Sequence, residues 1–313
     1  MNGTWHEQDR ALNDDNQTRC GFVALIGAPN AGKSTLINRL VGVKVSIVSR
    51  KVQTTRSQIR GIVTRGNSQI IFVDTPGIFK PKRRLDRAMV KSAWGGAGDA
   101  DIVCLLIDAR KGVDEENSEI LDNLAGHSRR RCLILNKIDT IEREKLLELA
   151  KAINERCPFE ETYMISALDG SGVDSMAESL AQKMTPGPWL YPEDQIADAP
   201  MRSLAAEITR EKLFDRLHEE LPYQLTVETE QWKDLPDGSA RIEQTIYVSR
   251  EGHKKIVIGE GGRNLKAIGT AARNEIAEAA DQRVHLFLFV KVRDRWVDDP
   301  ERYREMGLEF PDN

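Results

Sequence analysis

The segment 27–34 constrains the fold of this chain more than any other feature of the sequence. It reads GAPNAGKS and fits the phosphate-binding pattern GxxxxGK[ST]. The apolar run 21–26 precedes it, and residues 34–41 follow it with apolar side chains at helical spacing. The pattern needs this placement between a strand and a helix, because N–H groups of the loop and of the helix N-terminus converge on phosphates. The segment therefore predicts an α/β domain that holds the phosphates of a nucleotide.

The residues of this loop have distinct chemical roles. The Lys33 ammonium is placed to neutralise the β- and γ-phosphates, and the Ser34 hydroxyl is placed to bind Mg²⁺. The remaining phosphate contacts are assigned to the loop and to the first helical turn, at Gly27, Ala28, Pro29, Asn30, Ala31, Gly32 and Thr35.

A second motif, DTPG at residues 74–77, closes the apolar run 69–73. A carboxylate at the end of a strand can hold a water of the Mg²⁺ shell, and the N–H of Gly77 can sense a γ-phosphate. A turn after a strand often has this composition, so the motif gains weight only beside the phosphate loop. The predicted contacts here are Asp74, Thr75, Pro76, Gly77 and Ile78.

The motif NKID at residues 136–139 follows the apolar run 132–135 and predicts which base is bound. Asp139 as a carboxylate is only an acceptor, so it can take hydrogen bonds from the N1–H and the exocyclic amine of guanine. Adenine has an acceptor at N1 and lacks an amine at the position where guanine carries its own, and a site left with unpaired polar groups rejects it. Asn136 can brace the loop and Lys137 can lie over the ring, while further base contacts are assigned to Ile138, Ser166, Ala167 and Leu168.

The pattern along the chain predicts two domains. Apolar runs alternate with polar helical stretches over residues 20–185, which predicts an α/β fold with a mostly parallel sheet and helices on both faces. Residues 1–19 are polar and are expected to form a disordered arm. Four prolines within 186–200 predict a linker. Residues 201–297 read helix, strand, strand, helix, helix, strand and predict a second, α+β domain, followed by a C-terminal tail at 298–313.

A glycine-rich loop at residues 259–262 lies between two predicted helices of the second domain. The net charge of -4 taken alone argues against a nucleic-acid partner, since phosphate binding depends on Lys and Arg. The stretch 250–293 nevertheless holds nine basic and five acidic residues. The loop resembles the KH signature, in which GXXG clamps about four nucleotides of single-stranded RNA. The RNA contacts predicted on this basis are Lys254, Lys255, Gly259, Glu260, Gly261, Gly262, Arg263 and Lys266.

The middle positions of this loop depart from the KH pattern. They hold Glu260 and Gly261, where a basic residue is common. Weaker or more salt-sensitive RNA binding is therefore expected, with Arg263 as a cation that can compensate.

The order and spacing of all these motifs resemble the translation-factor-like GTPases. Residues 49–56, SRKVQTTR, resemble the first switch segment of the Era-like GTPases, the TrmE-Era-EngA group, whose members of the Era type carry a C-terminal type II KH domain. The resemblance covers about residues 21–296. It implies that a switch threonine coordinates Mg²⁺, at Thr55 or alternatively at Thr54, so that Ser34, Thr55 and Asp74 form the metal site. The catalytic set that it implies is Lys33, Thr55, Asp74 and Gly77.

The resemblance also implies a function, namely a GTP-hydrolysing switch that binds 16S ribosomal RNA near its 3′ end and assists assembly of the 30S subunit. The position after the DTPG motif holds Ile78, which cannot orient a water as the Gln of Ras-like enzymes does, so a slow intrinsic rate is expected. Asn30 matches relatives that recruit K⁺, which makes K⁺ a second candidate cation. GTP and GDP are the expected ligands, and the protein is expected to be a monomer.

Two alternatives to this function stay open at this point. One is an RNA-binding KH protein whose nucleotide site is only structural. The other is a membrane-associated regulatory GTPase that contacts the inner membrane through the amphipathic stretch 201–221. The expected location is the cytoplasm, because the apolar runs are too short to span a bilayer and the four cysteines have neither zinc nor redox spacing.

Overall fold

The computed structural model describes residues 17–311 except 50, 52–54, 57, 127–128, 219 and 295–298. Most of the predicted N-terminal arm, residues 1–16, and the alternative switch residue Thr54 lie outside this part of the chain. The arm boundary at residue 19 is wrong, since Arg19 already begins a strand and pairs with Ser68.

Within the described residues, the first sheet is built from seven strands: β1 (Arg19–Ile26), β2 (Ile59–Arg65), β3 (Ser68–Asp74), β4 (Ile102–Asp108), β5 (Arg130–Asn136), β6 (Glu161–Ile165) and β7 (Thr185–Pro186). Their order is β2-β3-β1-β4-β5-β6, with β7 beside β1. The pairs β3-β1-β4-β5-β6 are parallel, whereas β2 and β7 run antiparallel to their neighbours. Every residue of β3 and β4 is buried, as parallel strands covered on both faces must be.

In the part of the chain that the structure describes, five helices cover this sheet: α1 (Lys33–Val41), α2 (Arg84–Asp99), α3 (Glu115–Ala125), α4 (Arg143–Arg156) and α5 (Val173–Gln182). Apolar residues of α1 and α5 pack into the core on one face, and those of α2, α3 and α4 pack into the core on the other. The predicted α/β fold with helices on both faces is confirmed. Strand β1 lies between β3 and β4. The loop that follows β1 therefore lies at the carboxyl ends of these strands, where sheets of this kind bind ligands.

The second sheet has the order β10-β9-β8, formed by β8 (Leu225–Asp234), β9 (Ala240–Val248) and β10 (Val284–Val292). Strand β9 is antiparallel to β8 and parallel to β10. The helices α6 (Met201–Arg216), α7 (Glu251–Ile258) and α8 (Arg263–Ala279) pack on it, and their apolar residues form two core clusters with the strands. The order helix, strand, strand, helix, helix, strand is the predicted one.

The helix expected over residues 201–221 is shorter than the periodicity indicated. It ends at Arg216, and residues Leu221–Gln224 form a separate 3-10 turn around Pro222. Its apolar side chains Ile208, Leu213 and Phe214 are fully buried, whereas Met201 at its first residue is exposed. This burial argues against a membrane contact along the length of this helix, because the apolar side chains of its second half are already covered.

The proline-rich segment 186–200 lies against the first sheet. Ile62 N–H donates to the Ile196 carbonyl at 2.9 Å and Asp198 N–H donates to the Arg60 carbonyl at 3.0 Å, so the segment covers the edge strand β2. Its first residue, Pro186, still belongs to β7. Within the described ranges, no helix is long and apolar enough to cross a membrane.

The C-terminal segment is not a free tail. A short helix, α9 (Pro300–Glu305), places Tyr303 and Leu308 against α2 of the first domain, where they are buried with Leu85 and Met89. Residue 298 itself lies outside the described part of the chain. The chain thus returns from the second sheet to the helix that follows the DTPG motif.

Candidate functional site

Close packing explains the glycines of the phosphate loop. At Gly27 a Cβ atom would lie 2.3 Å from the Leu106 carbonyl oxygen, and at Gly32 it would lie 2.2 Å from Asn136 Nδ2. Gly32 also has φ 106°, in the region that favours glycine. The loop therefore folds tightly against the ends of β4 and β5.

Lys33 lies inside this loop and is buried. Its Nζ donates to the carbonyl oxygens of Gly27 at 2.9 Å and Ala28 at 3.1 Å. Burial lowers the pKa of Lys33 to about 8, and the nearby carboxylates of Asp74 and Glu116 offset only part of that effect. A phosphate group that enters the loop would therefore meet an oriented Lys33 ammonium whose charge the nearby carboxylates balance only in part.

A cluster of hydroxyls surrounds Asp74 at the end of β3. Its Oδ2 accepts from Ser34 Oγ at 2.9 Å and Ser46 Oγ at 2.8 Å, and Thr55 Oγ1 lies 3.4 Å away. The two candidate metal ligands Ser34 and Thr55 are themselves 3.1 Å apart. Burial raises the pKa of Asp74, while Lys33 and these hydroxyls act in the opposite direction.

This cluster fits Mg²⁺. Asp74 Oδ1 is buried and has no hydrogen-bond partner among the described residues. A buried carboxylate oxygen without a partner is costly unless a cation or its bound water completes it. The donor set is all oxygen, as a hard cation prefers. Ser46 also belongs to this cluster, but a single serine between Val45 and Ile47 carries no motif signal in the sequence.

The DTPG segment reaches back to the phosphate loop. Ile78 N–H donates to the Gly27 carbonyl at 3.0 Å, and Thr75 Oγ1 donates to the Leu25 carbonyl at 2.7 Å. A Cβ at Gly77 would lie 3.0–3.1 Å from Pro29. Ile78 is buried and apolar, so it offers no hydrogen bond to a water at this position.

Asn136 connects the phosphate loop to the loop after β6. Its Nδ2 donates to the Ala31 carbonyl at 2.8 Å, and its Oδ1 accepts from Ala167 N–H at 2.9 Å. Lys137 has φ 68° and its Nζ donates to the Asn30 carbonyl at 2.7 Å, which draws its stem along the cavity. Asp139 is exposed in the following 3-10 turn, with its carboxylate at the cavity wall.

Asp108 supports this base-side arrangement and was not selected from the sequence. Its Oδ2 lies 2.7 Å from Lys137 Nζ and 2.9 Å from an Arg110 guanidinium nitrogen. Burial alone would raise the pKa of Asp108, but the hydrogen bonds from Arg110 and Lys137 outweigh it and lower the pKa to about 2. The sequence did contain a signal for Asp108 as a site residue, because it ends an apolar run just as Asp74 does.

Many of the residues described above line one cavity of about 740 Å³, within the usual size range of small-molecule sites. The predicted residues that line it are Pro29, Asn30, Gly32, Lys33, Ser34, Thr35, Thr55, Gly77, Asn136, Lys137, Asp139, Ala167 and Leu168. Among the described residues, the other predicted contacts of the nucleotide site stand outside its wall: Gly27, Ala28, Ala31, Asp74, Thr75, Pro76, Ile78, Ile138 and Ser166. Phe214 and Asp215, at the end of α6, also line it. The second domain therefore contributes to the nucleotide cavity.

Described residues of the predicted switch segment, and residues just before it, contact both this cavity and the second domain. Val48 N–H donates to Glu211 Oε1 of α6 at 2.7 Å, and Lys44 Nζ lies 2.6 Å from the other oxygen of the same carboxylate. Arg56, next to Thr55, is buried and donates to the Leu225 carbonyl at 2.8 Å and the Tyr223 carbonyl at 3.4 Å. Adjacent residues of one segment thus face the metal cluster and the start of β8.

The glycine-rich loop of the second domain joins α7 to α8. Gly259, Gly261 and Gly262 all have positive φ, and a Cβ at Gly259 would lie 2.9 Å from Asn264. Asn264 Nδ2 donates to the Ile256 carbonyl at 3.1 Å and so ties the two ends of the loop together. A Cβ at Gly261 or Gly262 would meet nothing within 4 Å, so a ligand can approach the backbone of the loop closely.

The charges around this loop are distributed differently from the expectation. Glu260 and Arg263 form an exposed ion pair with each other, so Arg263 neutralises Glu260 and is not an independent cation. Lys255 and Lys266 are exposed on either side, and Lys254 is half-buried. The net positive charge next to the loop therefore comes from lysines of α7 and α8.

Together the fold and the two sites define a GTPase of the phosphate-loop class joined to a KH RNA-binding domain. Residues 22–137 match the family described as 50S ribosome-binding GTPase, and residues 220–297 match the KH domain family. The chain belongs to the GTPase Era family. It is 66% identical to GTPase Era of Afipia carboxidovorans over 294 residues, which cover 94% of this chain and 96% of that protein. It is 64% identical to GTPase Era of Bradyrhizobium diazoefficiens, again over 94% of this chain and 96% of the relative.

Solved structures agree with this assignment. A single-residue variant of Era from Aquifex aeolicus bound to GDP and AlF4⁻ superimposes with a TM-score of 0.87 at 38% identity, covering 93% of this chain and 99% of that one. The same figures hold for Era in complex with MgGDPNP and nucleotides 1506-1542 of 16S ribosomal RNA. The family that the motifs predicted is confirmed, and the chain is a GTPase.

Proposed function

We propose that this GTPase is a switch that binds the 3′ region of 16S ribosomal RNA on the assembling 30S subunit and releases it after hydrolysis. The observation that carries the proposal is the position of Thr55 and Arg56, which join the metal cluster to the first strand of the KH domain. A related Era binds MgGDPNP and a 16S ribosomal RNA segment at once, which supports the pairing of these two ligands. A change of order at Thr55 is expected to reach the KH domain directly.

The residues at the nucleotide site have the following proposed roles. Lys33 holds the β- and γ-phosphates, Ser34, Thr55 and Asp74 hold Mg²⁺ directly or through water, and the Gly77 N–H meets the γ-phosphate. Mg²⁺ would supply electrostatic stabilisation of the charge that develops on the phosphates. Asn136 and Lys137 keep the base loop in place, and Asp139 recognises guanine. Ile78 leaves the attacking water without a side-chain partner, so the intrinsic rate is slow.

We further propose that K⁺ binds beside the phosphates near Asn30, that the protein acts as a monomer, and that it works in the cytoplasm. Asn30 has φ 61°, and its carbonyl already accepts from Lys137 Nζ at the edge of the cavity. A monovalent cation there would add positive charge where Ras-like enzymes receive an arginine. Peripheral contact with the inner membrane remains the alternative role, and anionic vesicles in the assay below test it.

GTP turnover measured with and without a single-stranded RNA copying the 3′ end of 16S ribosomal RNA tests the proposal. The expected result is a slow basal rate that rises when the RNA is added and that is higher in K⁺ than in Na⁺. The physical reason is that RNA held by the KH domain stabilises the contacts of Arg56 and orders the segment that carries Thr55.

The control is the same assay with an unrelated RNA of equal length, or with anionic vesicles in place of RNA. Turnover that never exceeds the background would favour the alternative of a purely structural nucleotide site. Equal rates in K⁺ and Na⁺ would remove the K⁺ proposal, and stimulation by vesicles but not by RNA would favour the membrane role.

Binding of GTP at pH 8 is expected to take up about half a proton from the buffer. With a pKa of about 8, Lys33 is half neutral there before the nucleotide arrives. Bound phosphates favour the charged form of Lys33, so its pKa rises above 8. The half of the Lys33 side chains that were neutral then take up a proton. Calorimetric titrations in buffers of different ionisation enthalpy measure this uptake, and it should vanish near pH 6.5, where Lys33 is already charged. A binding enthalpy that is independent of the buffer at pH 8 would contradict the assignment.

A further inference from the structure

A strongly basic segment follows the DTPG motif and is not used by either site. Residues 79–91 contain six basic side chains and one acidic side chain, in a protein whose net charge is -4. Lys80, Lys82, Arg83 and Arg87 are all exposed, and we call these four residues the basic strip. They lie on the loop before α2 and on its first turn, directly after Ile78.

Acidic side chains neutralise only part of this charge. Arg83 lies 3.0 Å from Glu220, whereas the one carboxylate within the segment, Asp86, is buried and accepts the backbone N–H groups of Lys82 and Arg83. No ion pair joins Lys80, Lys82 or Arg87 to an acidic residue in the described part of the chain. Three exposed cations of one short segment are therefore available to an anionic partner.

A chain of contacts links the basic strip to the residues just before α7 of the KH domain. From Arg83 the contacts run through Glu220 to Gln224 Nε2 at 3.4 Å, and the Gln224 carbonyl accepts from Ser249 Oγ at 3.3 Å. Ser249 stands just before α7, which carries Lys254 and Lys255 and ends at the GXXG loop. Helix α7 has eight residues and is about 12 Å long. A polyanion that leaves the GXXG loop and follows α7 toward its N-terminus would approach the contacts that lead to Arg83 of the basic strip.

We propose that the basic strip binds the sugar-phosphate backbone of the RNA whose bases and first phosphates the KH domain holds. The inference rests on the proposed RNA-binding function and extends the RNA site from the KH domain onto the GTPase domain. Contacts made by isolated Lys and Arg side chains to phosphates position a strand without reading its sequence. An RNA backbone fits better than a lipid surface, because residues 79–91 contribute no exposed large apolar side chain that could enter a bilayer.

Two RNA lengths separate the basic strip from the GXXG loop. The full-length protein with Mg²⁺ and a non-hydrolysable GTP analogue is titrated with a short RNA that fills the KH groove, about four to six nucleotides long. It is then titrated with the same RNA extended at its 5′ or its 3′ end by about ten uridines, which exceed the length of α7 even at ~3.4 Å per phosphate. Each titration is repeated over a range of KCl concentrations for the wild type and for the triple variant K80A/K82A/R87A.

We expect one of the extended RNAs to bind the wild type about tenfold more tightly than the short RNA at low salt. In the triple variant this gain should disappear, and the slope of log K against log[KCl] should fall by about 2, since each phosphate contact of a single strand contributes ~0.7. Binding of the short RNA should be unchanged. The matched control R143A/K145A/K151A, which removes three exposed cations from α4, should keep the full gain.

Three other results would contradict RNA binding by the basic strip or by the KH domain. If the wild type binds extended and short RNAs equally, or if the triple variant keeps the gain, the basic strip does not bind RNA. If the triple variant instead loses only its affinity for anionic vesicles, the strip is a lipid contact. If the short RNA itself fails to bind the wild type, the failure belongs to the proposed RNA-binding function and not to the basic strip.

Discussion

Replacement of Asp139 by asparagine is expected to weaken GTP binding by roughly 10²- to 10⁴-fold. Two hydrogen bonds from guanine to a carboxylate are lost, each worth about 1.5–3 kcal/mol, and the new amide presents N–H groups to the N1–H and the amine of the base. Asp139 is exposed in its 3-10 turn, so the substitution should not disturb the fold. Xanthosine triphosphate has a carbonyl where guanine has its amine, and this acceptor should now be preferred. Competition titrations with a fluorescent nucleotide measure both affinities.

The control for this change is Asp174→Asn, another exposed carboxylate of the same domain, which should leave both affinities as they are. If the Asp139 variant kept its GTP affinity and gained none for xanthosine triphosphate, base recognition would have to lie elsewhere. A variant that lost affinity for both nucleotides would show that Asp139 maintains the cavity and does not read the base.

Replacement of both Gly259 and Gly262 by aspartate is expected to reduce RNA affinity by roughly two orders of magnitude or more, about 3 kcal/mol. Both glycines have positive φ, and a side chain at Gly259 would meet Asn264 at 2.9 Å. Two new carboxylates beside Glu260 would also repel the phosphates that the loop must approach. GTP binding should be unchanged, because neither Gly259 nor Gly262 lines the nucleotide cavity. Fluorescence anisotropy with a labelled RNA and nucleotide titration of the same sample measure both.

Gly238→Asp is the matched control for the loop variant. Gly238 has φ 79° in the turn between β8 and β9, and a Cβ there would meet nothing within 4 Å. It adds one such carboxylate at a position that also has positive φ in the same domain, and it should bind RNA normally. Unchanged RNA binding by the double variant would refute the KH assignment of the loop, and equal losses in the control would attribute the effect to folding or to net charge.

The sequence was most informative where function depends on backbone shape. The glycines at 27 and 32 must be glycines because neighbouring atoms leave no room for a Cβ, and such a requirement is written directly into a short pattern. Asp74 and Asp139 were found because each follows a strand in a recognisable tetrapeptide. Asp108 and Ser46 were missed, since a lone aspartate or serine has no pattern of its own until its partners are known.

Elements with weak periodicity were also missed. Strand β2 is interrupted by Arg60 and Gly61, and as an antiparallel edge strand it does not show the continuous apolar run of a buried strand. Gly61 is needed because a Cβ there would lie 2.9 Å from Val41 of α1. The end of α6 at Arg216 was misplaced because the apolar spacing continues beyond the point where the backbone leaves the helix.

The sequence by itself determined the nucleotide motifs, the KH loop, the family and the order of the elements, because all of these depend on residues close together in the chain. Tertiary structure alone decided how the two domains meet. Arg56 reaches the carbonyl of Leu225, Val48 reaches Glu211, and the C-terminal Tyr303 packs under α2. These partners are more than 150 residues apart along the chain in every case. Hydrogen bonds and packing between such distant residues leave no periodic trace in the sequence, so only the folded chain shows that one segment serves both sites.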